Sequence, residues 1–171
     1  MLGDTASFRA FLEGAMHNQL PSGQMRVMYP TQSLIETPTF IHAVYTYAQW
    51  TNNSDWLHSH WGIVTGGIRW IEDSRAKTLV DSTVPYFGLM PPGFVDGGIA
   101  VKKADYGATF WAMIAIEKGI TAANWLGDHA AARRWKKLFE EFMASFKKAA
   151  RRDLRTDSTG HVFLPISVGQ G

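Results

Sequence analysis

The chain has 171 residues, of which 46% are hydrophobic and 19% charged, with a formal net charge of +2. Disorder requires low hydrophobicity and high net charge, so that class is excluded and a folded domain with a sizeable core is expected. There is no cysteine, which excludes disulfides and thiolate metal sites within these residues.

The first predicted element is a short helix over 6–17, where Phe8, Phe11, Leu12 and Ala15 share one face before Pro21-Ser-Gly23 breaks it. A longer helix is predicted over 33–51, with Ile41, Val44, Tyr45 and Ala48 as its apolar stripe. Pro38 lies in its first turns, so its regular start is expected near Thr37. Asn52-Asn-Ser54 is read as a turn, with Ser54 as an N-cap. The next helix is predicted over 54–75, where Leu57, Trp61, Val64, Ile68 and Ile71 recur at spacings of four and three.

A connector over 76–103 follows, containing Pro85, Gly88, Pro91-Pro-Gly93 and Gly97-Gly98. Loops of that length are functional or disordered. Val84, Tyr86, Phe87, Leu89, Met90, Phe94 and Val95 make this one apolar, so it is expected to pack on the body. A helix over 105–126 carries Phe110, Met113, Ile114 and Ile120, and Gly127 supplies its left-handed stop. The last helix is predicted over 129–154, with Trp135, Leu138, Phe139, Phe142 and Phe146 inward. Thr156 to Gly160 forms a turn, and Val162-Phe-Leu-Pro-Ile166 reads as a short extended piece.

The last helix is crowded with basic residues from Arg133 to Arg155. A solvated outer face explains them better than nucleic-acid binding, because apolar residues interrupt the run at helical spacing. No apolar run reaches the roughly 18 residues that cross a bilayer. No secretory leader is visible at the N-terminus, so the chain is expected to be soluble, with neither membrane nor nucleic acid as partner, and cytoplasmic by default.

Two segments echo each other. Ala48-Gln-Trp50 and Ala123-Asn-Trp125 each end a helix, precede a polar turn and open onto a second helix, at an offset of 75 residues. Trp61 answers Trp135 in the helices that follow. Stacked helical hairpins produce this pattern, since one unit cannot bury its apolar face alone. The expected fold is therefore all-α, built from antiparallel αα-hairpins: one over about 33–75, the loop 76–103, and a second over about 105–154.

The run Tyr29-Pro-Thr-Gln-Ser-Leu-Ile-Glu-Thr-Pro-Thr-Phe-Ile, the turn before Asp55-Trp-Leu, the loop Tyr86-Phe-Gly-Leu-Met-Pro-Pro-Gly-Phe-Val-Asp-Gly-Gly and the helix Tyr106-Gly-Ala-Thr-Phe-Trp-Ala-Met together resemble the six-hairpin glycosidases. That resemblance implies an (α/α)6 toroid and hydrolysis of carbohydrate. A toroid needs six hairpins, and this chain supplies two with parts of a third, so a single domain forming a piece of such a ring is implied. Three functions follow as expectations: a glycoside hydrolase piece, a non-catalytic module that binds carbohydrate or protein, or an inactive truncated product that self-associates through exposed helical faces.

Glycoside hydrolysis uses two carboxyl groups across the scissile bond. Asp96 is the candidate general acid, since an aromatic, glycine-rich loop can raise its pKa and Gly97-Gly98 lets a ligand approach the backbone. It can equally be a turn aspartate bonded to its own backbone. Glu36 is a candidate substrate contact, or a carboxylate placed to suit the helix N-terminus. Asp105 binds substrate or caps its helix. Tyr86, Phe87 and Phe94 stack on a sugar or anchor the loop. The histidines at 17, 42, 58, 60, 129 and 161 show no metal spacing, and no cofactor is expected.

Overall fold

The computed structural model describes residues 4–27, 33–95 and 103–170. The described chain is mostly helical: α1 (Thr5–Met16), α2 (Glu36–Thr51), α3 (Ser54–Ser59), α4 (Trp61–Ala76), α5 (Tyr106–Trp125) and α6 (His129–Asp153). A two-stranded antiparallel ribbon, β1 (Arg155–Thr156) with β2 (Val162–Phe163), follows α6. The all-α expectation holds.

One helix of the sequence reading is two in the structure. The stretch 54–75 breaks at His60, whose φ of −110° ends α3 and begins α4. The His60 ring binds the Trp56 carbonyl at 2.8 Å, and Ser59 Oγ donates to the same carbonyl at 2.8 Å. Side chains that bond nearby backbone in this way compete with the helical ladder. Trp61 therefore starts α4, and its apolar stripe continues through the break.

The directions of the helices follow from their contacts. In the first hairpin, Gly67 of α4 lies against Ile41 and Thr37 of α2; a Cβ there would sit 2.8 Å from Ile41 Cδ1. In the second, Gly119 of α5 faces Trp135 of α6, and Tyr106 of α5 meets Phe146 of α6 with ring centroids 5.6 Å apart. Helices α4 and α5 are antiparallel, because Ile68 opposes Gly119 while Trp61 donates to Asp128 at 3.2 Å. It follows that α2 and α5 run the same way. Their direct contacts agree: His42 meets Trp111 at 6.3 Å, and farther along both helices the Lys118 ammonium lies 6.0 Å from the Tyr45 ring. Helices α4 and α6 are likewise parallel, with Trp61 against Trp135 at 5.5 Å and the Arg75 guanidinium 4.9 Å from the Phe142 ring.

The core runs through all of these contacts. Leu57, Val64, Ile68, Ile71, Ile116, Trp135 and Phe142 are fully buried in one cluster with Ile41 and Val44. Helix α5 is central. Ala108, Ala112, Ala115, Ala122 and Ala123 are all fully buried, and small side chains let neighbours approach from several sides.

The 75-residue repeat is visible atom by atom. Asn52 and Gly127 both take the left-handed conformation, with φ of 48° and 77°. The next residue in each hairpin donates its N–H back to the buried alanine of the triplet: Asn53 to Ala48 at 2.9 Å, Asp128 to Ala123 at 2.8 Å. Each of those residues then caps the following helix through its side chain, Asn53 to Trp56 N and Asp128 to Ala131 N. Two backbone donors and one acceptor are thus satisfied in the same way at each turn.

Asn53→Ala and Asp128→Ala should each lower stability by about 1 kcal/mol. Urea unfolding should show shifted midpoints with unchanged slopes. Asp128→Ala should cost the more, because it also strips the Trp61 indole of its acceptor.

Candidate functional site

The parallel course of α2 and α5 brings their N-terminal ends to the same end of the molecule. Glu36 is the first residue of α2 and is buried. A carboxylate there suits the partial positive charge of the helix start, where Ile35 provides no side-chain cap. Thr37, fully buried, accepts the Met25 N–H at 2.9 Å.

The start of α5 is built the same way. Asp105 caps it, one carboxylate oxygen accepting from the N–H groups of Gly107 and Ala108. Its other oxygen is buried and has no hydrogen-bond partner among the described residues. Thr109, fully buried, accepts the Met90 N–H at 3.0 Å. Each methionine follows a left-handed glycine by two residues, Gly23 at φ 90° and Gly88 at φ 73°. The Gly23 carbonyl accepts from Gln19 Nε2, and the Gly88 carbonyl from Arg75 Nε, both at 3.0 Å. The same loop-to-helix joint therefore occurs twice.

The connector joins the two helix starts. Met90 is tied to α5 through Thr109, and the Phe94 carbonyl accepts from Leu34 N at 2.9 Å beside the start of α2. Gly93 is in close contact with Leu34, where a Cβ would lie 2.7 Å from Leu34 Cδ1. Phe94 and Glu36 are thus brought to one place. Tyr86 belongs to a second small cluster around Leu89, Tyr106 and Val168. Phe87 is half-buried, its N–H bonded to the Val84 carbonyl at 3.2 Å. Asp96 lies outside the described residues.

A third segment reaches this end. Residues 166–168 pair with 104–106: Tyr106 N donates to Ile166 O at 3.0 Å, and Val168 N to Ala104 O at 2.9 Å. Asp105 is therefore enclosed by the C-terminal segment as well as by its own helix. Asp153, fully buried at the end of α6, holds that segment down. It accepts from Tyr106 Oη at 2.8 Å, from the Arg152 guanidinium at 2.6 and 2.9 Å, and from Gly169 N. These donors pull the Asp153 carboxyl down to about 2, the Arg152 bond most strongly, against the opposing effect of burial. Tyr106 is pushed above its ordinary value, first by burial and then by the anion beside it.

Between the helix starts and the far end, α2 and α5 present a half-exposed face that carries His42 and Trp111. That face leads to the end where both helices begin, with buried Glu36 at the start of α2 beside the Phe94 carbonyl bond and buried Asp105 at the start of α5. Among the described residues no three metal-ligating side chains converge, and no helix is long and apolar enough to cross a membrane. No protein-family model matches the chain, and no curated protein does.

Sequence reasoning named Glu36, Tyr86, Phe94 and Asp105 but missed Thr37, Thr109 and Asp153, which organise them. The recurrent Gly-X-Met at 23–25 and 88–90 was the available signal for the two threonine joints. For Asp153 the adjacent Arg152 was visible in sequence, but Tyr106 and Gly169, the partners that tie it to α5 and the C-terminal segment, lie 47 and 16 residues away.

The Asp153 cluster predicts a pH response. Its carboxyl is held below the ordinary value near 3.8, so its stabilisation is complete above that value. It is lost as pH falls toward about 2. Asp153→Asn should flatten the part of the acid-denaturation profile that lies between those values. It should also raise hydrogen exchange across 155–170 while leaving helical circular dichroism nearly intact.

Proposed function

We propose that the chain is part of a carbohydrate-active, glycoside hydrolase-like domain of stacked αα-hairpins, working by general acid/base hydrolysis at the end where α2 and α5 begin. One observation carries this reading. Two neighbouring hairpins set their first helices parallel and in contact, with their N-terminal ends and the aromatic connector gathered together. A ring of αα-hairpins has that arrangement, with parallel inner helices and parallel outer ones. It supports reading α2 and α5 as inner helices and α4 and α6 as outer helices of a toroid arc.

In this reading Asp96 is the proton donor, carried on the chain that follows Phe94 and Val95. Glu36 and Phe94 bind the sugar, one by hydrogen bonds and the other by its ring face. Asp105 has a different part. One of its oxygens is committed to the cap, so it organises the start of α5 and supports the loop above it. That commitment gives weight to a second reading, a module that binds carbohydrate without turning it over, because it leaves fewer carboxylates free for chemistry.

Aryl glycosides test both. The hydrolase reading expects release of the aryl group, with Asp96→Asn lowering kcat by about 10²–10⁴-fold, as loss of a general acid does. Glu36→Gln is expected to raise KM. Sugar binding on a glycan array with no release from any aryl glycoside would select the module. Neither binding nor release would overturn both.

A further inference from the structure

The C-terminal segment 164–170 lies across the start of α5 and is held there by few contacts. Asp105 and Ser167 stand opposite each other in an antiparallel bridge. Tyr106 N donates to Ile166 O at 3.0 Å, and Val168 N to Ala104 O at 2.9 Å. Gly169 N donates to the Asp153 carboxylate. Gly169 also packs on Pro85, where a Cβ would lie 2.6 Å from Pro85 Cβ. Arg152 Nη1 donates to the Pro85 carbonyl at 3.0 Å, so Arg152 and Asp153 both fasten this corner. Pro165 and Val168 are buried, whereas Ile166 is 61% exposed.

The acceptor beneath this segment is unsatisfied. Asp105 is 4% exposed. One of its oxygens caps α5, and the other is buried without a hydrogen-bond partner among the described residues. Ser167 is brought opposite Asp105 and supplies no donor to it.

We infer that 164–170 is a strap that opens as a unit, fastened by Asp153, and that its opening uncovers the second oxygen of Asp105 at the end where α2 and α5 begin. The three hydrogen bonds above and two buried apolar side chains hold the strap, whereas each long helix is held by a whole stripe of buried residues. It therefore opens at a lower free energy than the helices do. Closing it strips water from an acceptor and returns no donor, which weakens the closed form further. Once uncovered, the oxygen accepts from a hydroxyl or another hydrogen-bond donor arriving at that end. Taking that donor as a sugar hydroxyl rests on the function proposed above. The strap itself does not, and its tests use no sugar, so the two can fail separately.

Hydrogen exchange of single amides in the full chain tests the strap. Tyr106, Val168 and Gly169 report its opening, and Ile116, fully buried in α5, reports the core. The three strap amides should exchange together, at least about tenfold faster than Ile116. Asp105→Ser keeps a helix cap and removes the unsatisfied oxygen, so the three should slow at least about fivefold. A residue that only capped its helix would leave them unchanged, because Ser caps as well as Asp does. Asp105→Thr repeats the comparison should Asp105→Ser lose helical circular dichroism. Asp153→Asn weakens the charged fastening and should quicken all three at least about tenfold. Carbodiimide coupling of glycine amide to the native protein, read by peptide mass, reports the cover over Asp105. Coupling there should be slow in the parent chain and should rise with strap exchange in Asp153→Asn. Strap amides no faster than Ile116 would overturn the inference. So would Asp105→Ser leaving them unchanged or faster, or Asp105 coupling at the same rate in Asp153→Asn.

Discussion

Close packing of α5 against two helices at once is the constraint on which the rest of the structure depends. Gly119 makes it possible. A Cβ at that position would fall 2.2 Å from Ile68 Cδ1 and 3.3 Å from the Trp135 ring, both fully buried side chains. With a methyl at that position, α4 and α6 could not both approach α5 at the same level. The alanines at 108, 112, 115, 122 and 123 extend the same tolerance along the helix. With α5 held in the middle, Trp61 reaches across to Trp135 and Asp128, and the two hairpins lock in one register.

That register decides where chemistry can sit. Because α2 and α5 are parallel, their starts share an end, and the connector needs to span only the distance between them. The loop is anchored by backbone donors rather than by regular structure. Met25 and Met90 each lose water on burial, and each amide finds a threonine hydroxyl at the start of a helix. A buried amide left without an acceptor costs on the order of 1–3 kcal/mol. These two bonds therefore add to the apolar contacts that hold the loops. The C-terminal segment is held by a third device, the buried Asp153 anion with its ring of donors.

Much of this was legible along the chain. The stripes of α2, α5 and α6 appear as apolar residues three and four apart. Both hairpin turns appear as polar residues after an Ala-X-Trp triplet, and their geometry is the same to the level of single hydrogen bonds. The break at His60 was not legible, because it depends on side chains of Ser59 and His60 turning back onto the Trp56 carbonyl within a good helical pattern. The role of Asp105 stayed open between ligand and cap until its carboxylate oxygen was seen accepting two amides of α5. Phe94 read as a side chain, yet its carbonyl makes the bond that ties the connector to α2.

Local pattern alone determined that the chain is helical, where its helices turn, and that its two hairpins repeat. Those features depend on residues within a turn or two of one another, and side-chain spacing and capping chemistry record them directly. Only the tertiary structure decided that α2 and α5 run side by side in the same sense, that the connector bridges their starts, and that Asp153 grips the C-terminal segment. Such contacts join residues tens of positions apart. They depend on where a glycine lets two helices meet, and periodicity carries no trace of that.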